Sequence, residues 1–515
     1  MARFTITTLG CKVNQYDSAA LAAQLQRAGL CPAGRGQQAD LVIINTCCVT
    51  TTAMRKSRQA VRQALRSSPN AAVLITGCYS DYDAEAIDGI LTSLGGAVRQ
   101  TFIAGHHRNL AAVLHQIVSG LRAGGQHQFH SPDQPKQAHV NNWDTEACVN
   151  KAAEVCGAST GGHPSIRTRR NSAVKGKAPG TRELGGIDAF PGHQRAFVKV
   201  QDGCDAFCTY CIVPYTRPVV WSRTIEQVEA ESRRLVSAGH KEIVLAGVFL
   251  GSFGRDTAIR KRWQGPPEAL AALLERVARV EGLWRVRLSS LEPGDLSDQL
   301  LDVCRRTPNV APHFHLPLQS GAPKILRRMN RQYTAGQYRR TIDRLRIALD
   351  RPAVTTDIIV GFPGESDEDF ARTLELVRYT GFSRIHAFPF SAIKGTAAWN
   401  WRDQAPPPQV VKDRMDQLGK LGARTAGAYR RQFVGRKMEA LVESTRPIGP
   451  RSSQAAGRLC RARTDRYLTV GFSCPTATRI TGQVVTLRIN AVTPEGLEGT
   501  MTADTTGQTG GILRT

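Results

Sequence analysis

Short apolar runs that end in Gly, Asn or Ser recur along this chain, and stretches with helical periodicity lie between them. This alternation constrains the fold most strongly. A strand followed by a helix returns parallel to itself, so repeated units build a parallel sheet covered by helices. Over residues 1–119 the runs are FTITTLG (4–10), DLVIIN (40–45) and AVLITG (72–77), separated by the helical stretches Ser18–Ala28 and Ala53–Leu65. They predict an α/β, doubly wound parallel-sheet domain. The pattern resumes with RAFVKV (195–200), EIVLAGV (242–248), RVRLSS (285–290), HFHLPL (313–318), TTDIIVG (355–361) and RIHAFPF (384–390). Helical patterns such as Ile225–Ala238, Pro267–Val280 and Asp367–Tyr379 separate them. These units predict a central partial (β/α)6 barrel over 190–430, with function at the C-terminal ends of its strands. Shorter strands follow over 431–503, at KMEALVES (437–444), RYLTVGF (466–472) and QVVTLRI (483–489), as in a small β-barrel.

Two segments fall outside this pattern. Residues 120–189 are rich in Gly, Gln, His, Asn and basic residues, and read as a flexible linker or insertion. Residues 504–515, rich in Thr and Gly, read as a frayed tail. No run of about 18 apolar residues occurs, so no membrane span is expected. The opening MARFTITTLG lacks the apolar stretch of an export signal, so a cytoplasmic location is expected.

Lys and Arg number 68 against 43 Asp and Glu, a net charge of +25. Such an excess favours a polyanionic partner, because cationic side chains replace counterions condensed on phosphates. Solubility in an Arg-rich protein is the other reading. The 13 cysteines, at 11, 31, 47, 48, 78, 148, 156, 204, 208, 211, 304, 460 and 474, are odd in number in a chain with no export signal. That argues against a disulfide framework and for metal or redox chemistry.

The sharpest motif is Cys204-Asp-Ala-Phe-Cys208-Thr-Tyr-Cys211, directly after the first barrel strand. Three thiolates in one loop suit an iron–sulfur cluster with one iron left open, whereas a closed zinc site asks for four ligands. A second set is spread along the chain. Cys11, Cys47 and Cys78 each follow a strand of the N-terminal domain, in TTLGC, IINTC and LITGC. Parallel strands bring their C-terminal ends to one edge, the usual ligand crevice of an open sheet. Any one of them alone reads equally well as a small core residue. Three at equivalent positions point to a second cluster site.

The first motif, with Tyr210 before its last Cys, resembles the signature of the radical SAM superfamily. The two trios in this order, with TLGCKVNQYDS (8–18), INTCCVT (44–50), HQRAFVKVQDGCDAFCTYCIVPYTR (193–217), LSSLEP (288–293), HLPLQSG (315–321), TDIIVGFPGE (356–365) and FPFSAIKGT (388–396), resemble the methylthiotransferase family of that superfamily. The β-rich tail looks like its TRAM domain, an RNA-binding barrel. The opening GCKVNQYDS is similar to the branch that acts on threonylcarbamoyladenosine of tRNA.

The resemblance implies two [4Fe-4S] clusters, S-adenosyl-L-methionine (SAM), a tRNA substrate, an external electron donor of flavodoxin or ferredoxin type, and no membrane. It implies that Cys204, Cys208 and Cys211 hold the radical-generating cluster, while Cys11, Cys47 and Cys78 hold a sulfur-delivering auxiliary one. These six are the candidate metal ligands and catalytic residues. The C2–H bond of adenine is neither acidic nor electrophilic, so side-chain acid–base catalysis cannot activate it. A cofactor-derived radical can, with the protein supplying orientation. The activity implied is insertion of a methylthio group at C2 of N6-threonylcarbamoyladenosine at tRNA position 37.

Further candidates line the expected barrel rim. Tyr210, Ser289, Ser290, Glu292, Gly361 and Gly364 are candidate SAM contacts, against solvated strand ends or a tight Gly-Pro turn. Gln319 and Ser320 are candidate lining residues, and His313 and His315 read as structural. Cys48 beside Cys47 leaves that ligand ambiguous by one position; Cys47 is chosen because it follows IINT directly. Trp221 and Phe249 stand where relatives are commonly polar. For RNA, the stretch 53–66 places Arg55, Lys56, Arg58, Arg62 and Arg66 on a helix without an acid. In the tail, residues 431–470 hold nine Lys/Arg against three acids, with Tyr467 and Phe472 as candidate base-stacking rings. Three alternatives stay open: a methylthiotransferase for isopentenyladenosine, one for a ribosomal-protein side chain, and a basic RNA-binding protein with structural zinc.

Overall fold

A computed structural model of the chain describes residues 1–34, 36–93, 100–105, 110–122, 185–265, 268–447, 457–475 and 480–502. Most of the expected insertion, with Cys148 and Cys156, and the expected tail 504–515 lie outside the described residues.

The N-terminal part is a parallel sheet in the order β2-β1-β3-β4-β5 (β1 Arg3–Thr8, β2 Cys31–Pro32, β3 Leu41–Thr46, β4 Ala72–Gly77, β5 Thr101–Ala104). The central strands β3 and β4 are buried along their whole length, which fits their unbroken apolar runs. The sequence reading named β1, β3 and β4. It missed β2, a two-residue edge, and the short β5.

Helix α1 runs from Lys12 to Arg27, starting well before the expected Ser18. Asn14, Asp17 and Ser18 look like turn residues, yet all are buried and hydrogen-bonded. Helix α2 spans Thr51–Ser67, and its N-cap Thr50 accepts the Ala53 N–H through its hydroxyl.

In the central part the strands run in sequence order. β6 (Arg195–Asp202), β8 (Glu242–Gly247) and β9 (Arg285–Leu288) form a sheet edged by the antiparallel β7 (Trp221–Ser222). β10 (His313–His315), β11 (Ala353–Val360) and β12 (Arg384–Pro389) form a second sheet. Bridges from Val286 to Val310 and from Ser290 to His315 join them into one partial parallel barrel. Leu, Val and Ile from these strands and the covering helices form the largest core, which also takes in Tyr16 and Ala20 of α1.

The C-terminal part is a closed barrel, β13-β14-β15-β17-β16 (β13 Lys437–Pro447, β14 Gly457–Thr464, β15 Thr469–Pro475, β16 Val484–Val492, β17 Leu497–Met501), consistent with a TRAM-like domain. The sequence reading missed β14 and β17. The inward positions of β14 are Cys460, Ala462 and Thr464, too small and polar to give a strand signal. The sulfurs of Cys460 and Cys474 touch at 3.1 Å inside this barrel.

A buried charge cluster forms the seam between the two barrels. Glu242 meets Arg285 at 2.8 Å and Arg287 at 3.0 Å, and both arginines also donate to carbonyls of the loop 463–465. Burial opposes ionisation of Glu242, but Arg287, Arg285 and Arg195 override it and hold its pKa down to about 2. Tyr467 stacks on His313 in this seam at 4.8 Å.

Candidate functional site

Both Cys sets sit at C-terminal strand ends, as parallel topology requires. Cys11 follows β1, Cys47 follows β3, and Cys78 follows β4 to open the short helix α3 (Cys78–Tyr82). The three interact pairwise: Cys11 and Cys47 each feel Cys78, and Cys47 feels Cys11. The Gly10 backbone lies so close to the Cys47 side chain that a methyl group there would strike its sulfur. Cys11 is open to solvent at the crevice mouth, yet the dense concave surroundings raise its thiol pKa. Burial lifts Cys47 to about 12. The Cys47 N–H is fixed by Ser57 Oγ at 3.0 Å. Cys48 turns into the aliphatic cluster of Val42, Ile44 and Met54, and its thiol donates to the Cys78 carbonyl at 3.4 Å.

Cys204, Cys208 and Cys211 share the loop after β6. The Cys211 N–H donates to the Cys208 carbonyl at 2.9 Å, and the Cys204 N–H to the Arg217 carbonyl at 3.0 Å. Gly203 lets the loop begin: it has a φ of 78°, and any side chain would run into the Val219 carbonyl. Gln201, fully buried, bonds the Asp202 and Gly203 carbonyls and accepts the Phe249 N–H at 2.7 Å. Sequence reasoning missed this support, since a lone Gln in a strand carries no signal. Burial raises the Cys211 thiol to about 12, and Cys208 and the more distant Cys78 push the same way. The two trios therefore face each other within electrostatic reach.

A tetrahedral zinc site, with Zn–S near 2.3 Å, brings its sulfurs within about 4 Å of one another. Among the described residues the one group of three potential ligands gathered within 4.8 Å is His315, Asp357 and His386. Neither Cys trio is that tight. A cubane cluster spreads its thiolates over separate irons and fits the looser spacing.

Charged groups stitch the two sites together, and the sequence gave no hint of them. Arg217 is buried; it donates to Asp202 at 2.7 and 2.8 Å, to Asp17 at 2.8 Å and to Asn14 at 3.2 Å. Lys199 bonds Asp17 at 2.6 Å and Asp202 at 3.0 Å. Arg331 donates to Cys208 Sγ at 3.1 Å and to the Tyr210 hydroxyl at 3.2 Å, and is paired with Glu292. Burial disfavours the Arg331 charge, but Glu292 keeps it protonated.

The rim candidates are placed as follows. Glu292 is buried and held by both Arg260 and Arg331. Ser289 is buried, and its hydroxyl has no hydrogen-bond partner among the described residues. Ser290 is exposed and bridges to His315. In the loop after β11, the Gly361 N–H donates to Glu365 and the Gly364 N–H to the Gln404 carbonyl. Gln319 and Ser320 are buried in the loop after β10. Trp221 lies under the Lys199 ammonium and Phe249 under Arg260. A ligand-hungry hydroxyl at Ser289, beside an open Cys trio, suits a polar cofactor.

On the RNA side, Arg55, Lys56, Arg62 and Arg66 are exposed along α2, while Arg58 bonds the Tyr79 hydroxyl at 2.9 Å. The expected stacking rings are not available: Phe472 points into the C-terminal barrel core, and Tyr467 is spent in the seam. Inward alternation on β15 decides the first. The barrel instead exposes Arg436, Lys437, Arg446, Arg461 and Arg488.

The chain matches the Radical SAM superfamily over residues 198–377 and the Uncharacterized protein family UPF0004 over residues 3–93. It is 32% identical to the threonylcarbamoyladenosine tRNA methylthiotransferase MtaB of Bacillus subtilis, over 92% of this chain and 90% of that protein. It is 32% identical to the protein of the same name from Chlamydia pneumoniae, over 96% and 97%. It is 34% identical to the tRNA-2-methylthio-N(6)-dimethylallyladenosine synthase of Parafrankia, over 90% and 82%. With likeness running almost end to end and six cysteines converging at one domain seam, the chain belongs to the methylthiotransferase family of radical SAM enzymes.

Proposed function

We propose that this enzyme inserts a methylthio group at C2 of N6-threonylcarbamoyladenosine at position 37 of tRNA. One observation carries the reading: two Cys trios, on different domains, face each other across one crevice, with Cys78 acting on Cys211. Substitution at C2 needs one site to activate the carbon and another to deliver sulfur. The names of the Bacillus and Chlamydia relatives favour the threonylcarbamoyl substrate. The Parafrankia relative's name supports dimethylallyladenosine as a second reading.

In this proposal Cys204, Cys208 and Cys211 hold a [4Fe-4S] cluster that binds SAM, and Cys11, Cys47 and Cys78 hold an auxiliary one. When bound, these groups supply a hydrogen-abstracting radical and a transferable sulfur. The chain's own residues do the rest. Arg331 faces the Cys208 thiolate and offsets its charge. Ser289 offers its free hydroxyl to the cofactor. Asp17, Asp202, Lys199 and Arg217 fix the spacing of the two sites. The basic face of α2 and the exposed arginines of the C-terminal barrel take the RNA backbone. The domain division follows: 1–119 carries the auxiliary site, 190–430 the radical site and 431–503 an RNA-binding barrel. An electron donor of flavodoxin or ferredoxin type and a cytoplasmic location complete the proposal. No helix among the described residues is long and apolar enough to cross a membrane.

Nucleoside mass spectrometry of tRNA from a deletion strain tests it. Loss of the methylthio-threonylcarbamoyladenosine peak is expected. A peak that persists, with loss of the isopentenyl counterpart instead, overturns the substrate choice.

A further inference from the structure

The crevice between the two Cys trios is crowded with cations, and almost all are already paired. Arg217 and Lys199 share Asp17 and Asp202. Arg260 and Arg331 share Glu292, and Arg285 and Arg287 share Glu242. Lys12 is different. It follows Cys11 directly as the first residue of α1 and is half-buried. Among the described residues, no carboxylate, hydroxyl or carbonyl bonds its ammonium.

The position of Lys12 is fixed from two sides. The chain ties it to Cys11, one of the auxiliary thiols. Its charge also acts on the His313 ring and the Tyr467 hydroxyl, which stack on each other at the foot of the central barrel. The ammonium therefore lies between the auxiliary trio and the barrel interior. The carboxylate on the facing wall is Asp357, and it is already engaged by His315 at 3.3 Å and His386 at 3.1 Å. A half-buried ammonium without a counter-charge is costly to hold, so the site asks for an anion from outside the chain.

The surroundings select which anion. RNA phosphates are met on the outer basic face of α2, whereas Lys12 sits inside the crevice, beside the group that must approach C2 of the purine. A purine with C2 turned toward both trios carries its N6 substituent within the same enclosed space. In threonylcarbamoyladenosine that substituent ends in a carboxylate.

We propose that Lys12 is the binding site for the carboxylate of the substrate's N6 substituent, an inference that rests on the substrate reading above. Lys12 thereby selects an anionic over an apolar modification, because an apolar group there would leave the ammonium desolvated and unpaired.

The test uses the cluster-loaded enzyme and fluorescence anisotropy with anticodon stem-loops bearing threonylcarbamoyladenosine, its methyl ester, or isopentenyladenosine at position 37. Wild type is expected to bind the free acid about tenfold or more tighter than the ester, as for one partly buried charge pair. Lys12→Gln is expected to bind acid and ester alike, and Lys12→Arg to restore the preference. Iron content and SAM affinity by equilibrium dialysis accompany each variant. A loss of SAM affinity in Lys12→Gln would assign the ammonium to the SAM carboxylate and overturn the proposal. If wild type prefers the acid and Lys12→Gln keeps that preference, the role of Lys12 is wrong while the substrate reading stands. If wild type instead prefers the isopentenyl stem-loop, the substrate reading itself fails, and this inference with it.

Discussion

Arg217 offers the most quantitative handle on how the two halves of the site are held together. Its guanidinium lies in the seam between α1 and β6 and donates to Asp202, Asp17 and Asn14 at 2.7–3.2 Å. Replacing it by Met keeps much of the volume but leaves two carboxylates facing Lys199 alone. Removing one partner of a buried charge network costs about 3–5 kcal/mol. Lys199 still neutralises one carboxylate, so the low end, about 3 kcal/mol, applies here. That corresponds to a roughly 100-fold larger opening constant for the seam. Hydrogen exchange read by mass spectrometry reports that constant locally. In Arg217→Met, amides of α1 and of β6 are expected to exchange about 100-fold faster, while those of β13–β15 keep their wild-type rates. Unchanged exchange in α1 would refute the argument, because it would mean the network adds nothing to the docking of the two domains. Equal acceleration in the C-terminal barrel would refute it too, by revealing global destabilisation.

Two further perturbations separate the other parts of the account. Gly203→Ala forces a Cβ into the Val219 carbonyl at a residue with positive φ, so the reconstituted protein is expected to lose the iron of the 204–211 loop, about half of its total, while keeping the auxiliary share; full iron content would contradict this. Glu242→Gln strips the anion from three arginines and is expected to lower the stability of the apoprotein to urea at pH 7 by about 3 kcal/mol. The sign in acid follows from the depressed pKa of Glu242, about 2. Its contribution is present above the ordinary glutamate range and is lost as pH falls toward about 2, so the wild-type advantage should shrink below about pH 4. A difference that stays constant from pH 7 to pH 3 would show that Glu242 does not act through its charge.

Much of this architecture was legible in the sequence because it rests on period and placement. The apolar runs of β3 and β4 and of the barrel strands are long and buried, so their signal is strong. Placing Cys11, Cys47 and Cys78 directly after strands was enough to bring them to one edge, since a parallel sheet leaves no other arrangement. What stayed hidden depends on contacts between distant segments. Asp17 and Arg217 look like ordinary surface charges in sequence and become partners 200 residues apart. The early start of α1 was missed for the same reason, since Asn14 and Asp17 are satisfied by the other domain rather than by water. Tyr467 and Phe472 were misjudged because aromatic residues near basic ones suggest RNA, whereas strand register and barrel docking direct these rings inward.

The central claim is that six cysteines form two separate three-thiol cluster sites, and iron and sulfide analysis of single Cys variants after anaerobic reconstitution tests it most directly. Wild type should hold about eight irons, as expected for two cubane clusters. Cys78→Ala should hold about four while still cleaving SAM reductively, and Cys48→Ala should match wild type. Eight irons retained in Cys78→Ala, or zinc without sulfide in the wild type, would contradict the account.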